Sequence, residues 1–250
     1  MPITPNSGSS GGGQTVTING NNLSGATVVH FGSKTAAIAG NTPTSVTVTT
    51  PSGNGVVPVT VTTPGGTSNP VDFFYVGAPF KSALSPTAGP VAGTNIATIT
   101  GTGLSTATAV HFGANTATPT VVSDSVITVP VPPGAAAGAV GVSVTTTGGT
   151  NNGFSYTYLD TPTIGTPNPN SGPASGGTAV TIPGTGFSTT QSVTFGGIAA
   201  PFTVINDTTL SAVSPPTADG APGPADITVT TLAGSATTPT PFQYVAGPNI

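Results

Sequence analysis

The sequence predicts an all-β fold: three tandem two-sheet β-sandwich domains in an extended rod. Three observations carry that expectation. One unit is written three times, its apolar residues alternate with a period of two, and no ten-residue stretch keeps helical spacing. Turn markers set the period. "PNSG" at Pro5, "PTAGP" at Pro86 and "PNPNSGP" at Pro169 stand 81 and 83 residues apart, as do "GNNLS" from Gly20, "GTGLS" from Gly101 and "GTGFS" from Gly184. That period exceeds the roughly 20–50 residues of a solenoid repeat and suits an independent small domain. Boundaries are expected where an aromatic-ended strand gives way to Ala-Pro or Thr-Pro, near residues 77–79 and 160–162. This gives domains 1–77, 78–160 and 161–250, joined by short connections of limited flexibility.

Each element follows from the same alternation. In "TVTING" Val16 and Ile18 alternate with threonines, as Val180 and Ile182 do in the third unit. In "TVVHFG" Val29 and Phe31 point one way and His30 the other; Val110 and Phe112, then Val193 and Phe195, repeat this. "SVTVTTP" supplies Val46 and Val48, matched by Ile127 and Val129 and by Leu210 and Ala212, and "VPVTVTT" supplies Val57, Val59 and Val61. Each unit closes on an aromatic, at Tyr75, at Tyr156 and Tyr158, and at Tyr244. β-Branched residues alternating with threonine and bounded by Gly, Pro and Asn are the strand signal, and about seven such strands per unit favour a sandwich.

Composition excludes several functions. With Gly 36 and Pro 27 the chain nears low complexity, but 35% of it is hydrophobic and in ordered alternation, so a fold is expected. Only 3% is charged: Lys34, Lys81 and six aspartates, with no arginine. Nucleic acid needs several cations to displace counterions, and anionic membranes need a basic patch; neither is available. Without cysteine there are no disulfides or thiolate metal sites, and no apolar run approaches the roughly 20 residues of a membrane helix. The start, "MPITPNSGSSGGG", has neither the basic nor the apolar part of a signal peptide. So little charge leaves weak colloidal repulsion, which points towards assembly or an extracellular coat.

The order Pro-x-x-Gly, Gly-Gly-Thr, strand, Gly-x-Gly-Leu-Ser, Val-x-Phe-Gly, strand-Pro, Val-x-Val-x-Thr, Gly-Gly, Phe-x-Tyr resembles the IPT/TIG family of immunoglobulin-like domains over essentially all 250 residues. Departures are small: Ala92-Gly93 for the Gly-Gly pair, and Pro183 where the other copies have Asn19 or Thr100. The resemblance implies immunoglobulin-like sandwiches that act as spacers or interaction domains, of bacterial or phage type. The basic loops of the family's DNA-binding branch are missing.

Candidate sites divide into chemistry and bland structure. The glycine loop lacks the lysine of a Walker cradle, and Thr106 and Thr189 stand where a dinucleotide fingerprint needs its third glycine. A turn is expected instead, with positive φ at Gly101, Gly103, Gly184 and Gly186 and at Asn22. His30 and His111 are equivalent, one per domain on the solvent side, with Thr194 in the third copy, too few for zinc. Asp124 and Asp207 are equivalent and are expected to cap the turn before the next strand; Asp160 sits at a junction where a calcium ion is conceivable. Asn22 and Asn206 begin chance glycosylation sequons. No nucleophile–base pair or flanking carboxylate pair is visible, so no catalysis, cofactor or metal is expected.

Phe80 and Phe202, with Phe73 beside Phe74, break the repeat and are expected to make interdomain or intersubunit contacts. Ala246, Gly247, Pro248, Asn249 and Ile250 mimic an interdomain linker and are expected to join subunits end to end. The leading expectation is a non-catalytic structural protein, forming or decorating an extracellular fibre, filament, cell-surface or virion assembly as a homo-oligomer through end-to-end or lateral contacts. The rival is an adhesin or carbohydrate-binding accessory using loops at the sandwich ends, though no tryptophan offers a stacking platform for a glycan.

Overall fold

The computed structural model describes residues 2–247. Contacts divide the chain into two compact units, one of residues up to 85 with 96–130 and 141–155, the other of 86–95 and 131–140 with 156 onward. The first repeat lies in the first unit and the third in the second; strands of the second repeat contribute to both.

In the first repeat Ile3–Thr4, Thr15–Asn19, Ser45–Thr49 and Lys34–Asn41 pair in that order, all antiparallel. The opposite layer is Val28–Phe31, Gly55–Thr63 and Val71–Val76, with Ser7–Ser9 running parallel along the last. The period-two residues meet between these layers: Val16, Ile18, Val46 and Val48 from one, and Val29, Phe31, Val59, Val61, Phe73 and Tyr75 from the other. The third repeat builds the same core from Val180, Ile182, Leu210 and Ala212 against Val193, Phe195, Ile227, Val229, Phe242 and Tyr244. In the second repeat Phe80–Ser85, Ile96–Thr102, Val126–Pro130 and Thr120–Ser123 form one antiparallel sheet.

Nine strand segments stand among the described residues of the first repeat, against about seven expected. The first strand splits at Pro5, so Ile3–Thr4 joins one layer and Ser7–Ser9 the other. A short segment, Gly66–Thr67, adds a hairpin to Gly55–Thr63.

Proline also explains how the repeats differ. In the first, Lys34–Asn41 is continuous and pairs with both layers. The same passage breaks into Asn115–Ala117 and Thr120–Ser123 around Pro119, and into Ile198–Ala199 and Phe202–Asn206 around Pro201. Proline has no N–H for a ladder bond and interrupts a strand that neighbours on both sides would claim.

Register settles which tyrosine of the second repeat is equivalent to the other two. Ser7–Ser9, Ala88–Pro90 and Ser171–Pro173 pair in parallel so that Gly8, Gly89 and Gly172 face Tyr75, Tyr158 and Tyr244. Of the two tyrosines that close the second repeat in sequence, Tyr156 and Tyr158, it is therefore Tyr158 that corresponds to Tyr75 and Tyr244. All three donate to a proline carbonyl: Tyr75 to Pro51 at 2.6 Å, Tyr158 to Pro132 at 2.7 Å and Tyr244 to Pro215 at 2.6 Å. Tyr156 takes the place of Phe73 and Phe242 beside the closing ring, and its extra hydroxyl bonds Asn95 Oδ1 at 3.1 Å.

Candidate functional site

The glycine loop is an anion-binding turn whose anion belongs to the chain itself. Gly103 and Gly186 have φ of 72° and 76°, which turns successive N–H groups to one side. In the second repeat Gly103 N–H donates to Asp124 Oδ2 at 3.0 Å, and Ser105 reaches Oδ1 with its hydroxyl at 2.8 Å and its N–H at 3.4 Å. In the third, Gly186 N–H reaches Asp207 Oδ2 at 3.2 Å and Ser188 N–H reaches Oδ1 at 3.1 Å. The aspartate carbonyls accept from Leu104 and Phe187 at 2.9 and 3.1 Å, so each aspartate holds the loop with main chain and side chain together.

These bonds favour the ionised carboxylates. The Gly103 N–H, then the Ser105 hydroxyl and N–H, hold Asp124 below the ordinary carboxylate range; the Ser188 hydroxyl and N–H lead the same effect at Asp207. The aspartates expected to cap the turn before the next strand therefore hold a loop far back in sequence. In the first repeat Pro43 keeps only the carbonyl bond, to Leu23 N–H at 2.9 Å. Asn41 supplies the side-chain part, accepting from Ala26 N–H at 3.1 Å and donating to the Leu23 carbonyl at 2.7 Å.

Positive φ holds at Gly103, Gly186 and Asn22, but not at Gly101 or Gly184. Those two glycines are there for space. A Cβ on Gly101 would collide with the carbonyl oxygen of Phe80, and one on Gly184 with that of Thr163, from the edge strand that pairs with each.

With the Gly-Gly hairpin, this loop forms one end of every repeat. In the second, that end is covered by the segment that leaves the first. Ser9 Oγ donates to the Gly148 carbonyl at 3.0 Å, Asn151 donates to the Pro79 carbonyl, and a Cβ on Gly148 would strike the Gly77 carbonyl. A Cβ on Gly149 would lie 3.7 Å from Ala78 Cβ, and one on Gly103 3.6 Å from Pro79 Cα. The third repeat is covered in the same way: a Cβ on Gly186 would lie 3.3 Å from Pro162 Cα, and one on Gly234 3.6 Å from Thr161 Cγ2. Pro79 and Pro162 are both buried there. In the first repeat a Cβ on the counterpart Gly66 would meet nothing within 4 Å among the described residues. An open groove of about 610 Å³ lies there, lined by Asn22, Ser24, Pro43, Val61, Gly65 and Thr67 among others.

The remaining candidates fall apart spatially. His30 and His111 are half-buried on equivalent strands, His111 Nδ1 lying 3.0 Å from Thr116 Oγ1. No group of three or more His, Cys, Asp or Glu side chains converges among the described residues. Asp160 and Asp207 line one cleft of about 440 Å³, with the Asp207 carboxylate committed to its loop. The Asn206 carboxamide folds back to accept from Thr208 N–H and Oγ, each at 2.9 Å.

Phe80 is 64% exposed, whereas Phe202 packs partly onto the third core. Phe73 is fully buried, edge-on to Phe31 and Tyr75, so it offers no outer contact; its neighbour Phe74 is the exposed member of the pair. Alternation explains this, because Tyr75 and Phe73 share the core face. Ala246 and Gly247 are exposed beyond Phe242–Val245, and Pro248, Asn249 and Ile250 lie outside the described residues.

Two features escaped sequence reasoning. Lys81 is buried: its Nζ donates to the Val142 carbonyl at 2.8 Å and sits 5.0 Å from the Phe154 ring centre, and burial pushes its pKa below the usual amine value. Its counterpart in the third repeat is Ile164, an apolar residue that signals an inward position. The loop bond also left a signal, since Gly103 and Asp124 recur as Gly186 and Asp207 at one spacing.

The family model for the IPT/TIG domain matches residues 1–75, 79–158 and 162–244. No curated protein matches the chain in sequence. Among solved structures, the plexin A4 extracellular region aligns with 100% of this chain and 24% of its own, at 20% identity and a TM-score of 0.48. The surface glycan-binding protein SGBP-B of the Bacteroides ovatus mixed-linkage glucan utilization locus, solved with a mixed-linkage heptasaccharide, aligns over 96% of this chain and 66% of its own, at 16% identity and a TM-score of 0.34. The Escherichia coli adhesin FdeC aligns over 98% of this chain and 96% of its own, at 12% identity and a TM-score of 0.36. The chain spans 24% and 32% of the two plexin chains it resembles.

Proposed function

This chain belongs to the IPT/TIG domain family, present as three tandem copies, and from that premise we propose that it is a non-catalytic structural protein. In this reading its immunoglobulin-like domains form or decorate an extracellular fibre, filament, cell-surface or virion assembly of bacterial or phage type. The observation that supports it is the fate of the polar groups: the loop N–H groups that resemble a ligand cradle hold Asp124 and Asp207. Close packing of the first repeat's last segment on the end of the second repeat adds to it, since a spacer transmits position through such joints. The described residues contain no helix long and apolar enough to cross a membrane. Light scattering over a concentration series, with negative-stain electron microscopy, tests the reading. Ordered polymers or oligomers are expected; single chains at every concentration, together with a glycan-array hit, would replace it.

One observation favours the second reading, an adhesin or carbohydrate-binding accessory. The third repeat has the longest loop in its position, and residues 217–225 enclose a cleft of about 270 Å³ with Phe195, Ile198 and Tyr244. Rings, prolines and main-chain polar groups suit one face of a sugar. A glycan array tests this directly, with Asp219→Ala and Pro222→Ala variants to place any hit.

A further inference from the structure

We propose that the second repeat is a yielding element: the least stable of the three, it opens while the first and third stay folded. The argument starts from Thr94. It has a φ of 79°, in the left-handed region, and stands where the other repeats have Gly13 and Gly177, with φ of 81° and 87°. The same turn precedes Thr15–Asn19, Ile96–Thr102 and Ala179–Thr185, and glycine alone adopts its backbone without penalty. A Cβ on Gly13 or Gly177 would meet nothing within 4 Å, and Thr94 is exposed, so burial does not offset the strain of a β-branched residue there.

Two further differences lie inside the same repeat. Asn95 follows Thr94, and its Nδ2 is buried without a hydrogen-bond partner among the described residues. Its Oδ1 takes the Tyr156 hydroxyl at 3.1 Å, over Gly89. Over the equivalent Gly8 lie Gln14, whose amide nitrogen donates to the Ser7 carbonyl at 3.4 Å, and the Phe73 ring; over Gly172 lie the Thr178 hydroxyl and the Phe242 ring. A buried donor left unpaired costs its full desolvation, whereas a ring without a hydroxyl asks for no partner. Lys81 puts an ammonium against the Val142 carbonyl and the Phe154 ring, where the third repeat packs Ile164 onto its apolar core. Burying that charge costs more than burying an alkyl chain. Strain, an unpaired amide and a buried ammonium thus fall in one repeat, and none has a counterpart among the described residues of the third. Residues 79–158, fully extended, span roughly 260–290 Å, so opening this repeat alone lengthens the chain greatly.

Its use as a point of extension rests on the structural reading above; the order of opening does not. Hydrogen exchange of the intact chain in rising urea, read by mass spectrometry, tests that order. Ile96–Thr102 and Val126–Pro130 are expected to lose protection at lower urea than Thr15–Asn19 and Ser45–Thr49, and than Ala179–Thr185 and Thr209–Val213. Thr94→Gly is expected to slow exchange of the second repeat about fivefold and to leave the other two unchanged. Asn95→Thr combined with Tyr156→Phe, which copies the third repeat's pair, is expected to slow it too. A second repeat protected as strongly as either neighbour overturns the proposal, and so does Thr94→Gly that leaves its exchange unchanged or faster. Either result leaves self-assembly, and with it the structural reading, in place.

Discussion

Removing one hydroxyl from each closing tyrosine probes how the sandwiches hold their loops. Tyr75→Phe, Tyr158→Phe and Tyr244→Phe keep the ring and its edge-on contact with the neighbouring aromatic, at 5.1 Å in each repeat. What is lost is the bond to the proline carbonyl. At Tyr244 that bond is 2.6 Å long and buried, so the Pro215 carbonyl is left without its partner and the cost is about 2 kcal/mol. The Tyr75 bond is equally short but only partly buried; water can replace the hydroxyl there, and the cost falls to about 1 kcal/mol. For a domain of this size about 1 kcal/mol corresponds to roughly 4–8 °C, so Tyr244→Phe lowers the midpoint of its own transition by roughly 8–16 °C and Tyr75→Phe by roughly half that. Differential scanning calorimetry of the intact chain reads each transition. A Tyr244→Phe shift below about 2 °C, or a larger loss at Tyr75 than at Tyr244, would refute the assignment of the energy to a buried hydrogen bond.

Other perturbations give equally definite outcomes. Asp124→Asn and Asp207→Asn loosen the glycine loops, and thermal melts across acid pH show why. Both folded-state pKa values lie below the ordinary aspartate value of 3.8, so the stabilisation is present above that pH and is lost as pH falls through the folded values; the gap between wild type and the double variant closes there. Burial raises Tyr75, Tyr158 and Tyr244 above 10.0, so their contribution is full below pH 10.0 and fades as pH rises through the folded values, a loss that the triple Phe variant does not show. Lys81 runs the other way: its folded pKa lies below 10.5, the penalty on its charge is lifted as pH rises towards 10.5, and wild type gains on Lys81→Met over that interval. Gly101→Ala forces the carbonyl of Phe80 outward, and hydrogen exchange is expected to quicken across Phe80–Ser85 while Thr120–Ser123 is unaffected.

Local patterns made the sandwiches legible. Val16 and Ile18, or Val110 and Phe112, alternate with polar residues because a strand sends successive side chains to opposite faces, and all four are buried. Repetition then located the loops and the linkers. What stayed hidden was decided across space. Whether a glycine is needed for φ or for room depends on the neighbouring strand, and Gly101 and Gly103 look alike until the Phe80 carbonyl is placed against Gly101. Asp124 reads as the cap of its own turn, and only the pairing of Val126–Pro130 with Ile96–Thr102 brings it to the loop of Gly103. Phe73 and Phe74 are one apolar pair in sequence but lie on opposite faces of a strand, and Lys81 reads as a solvated charge until the Val142 carbonyl and the Phe154 ring close around it.

The claim that these domains work by assembly is tested most directly by sedimentation velocity of the intact chain over a concentration series. Sedimentation that quickens as concentration rises, with ordered oligomers or polymers at the top of the series, is predicted. A single chain at every concentration would contradict the account.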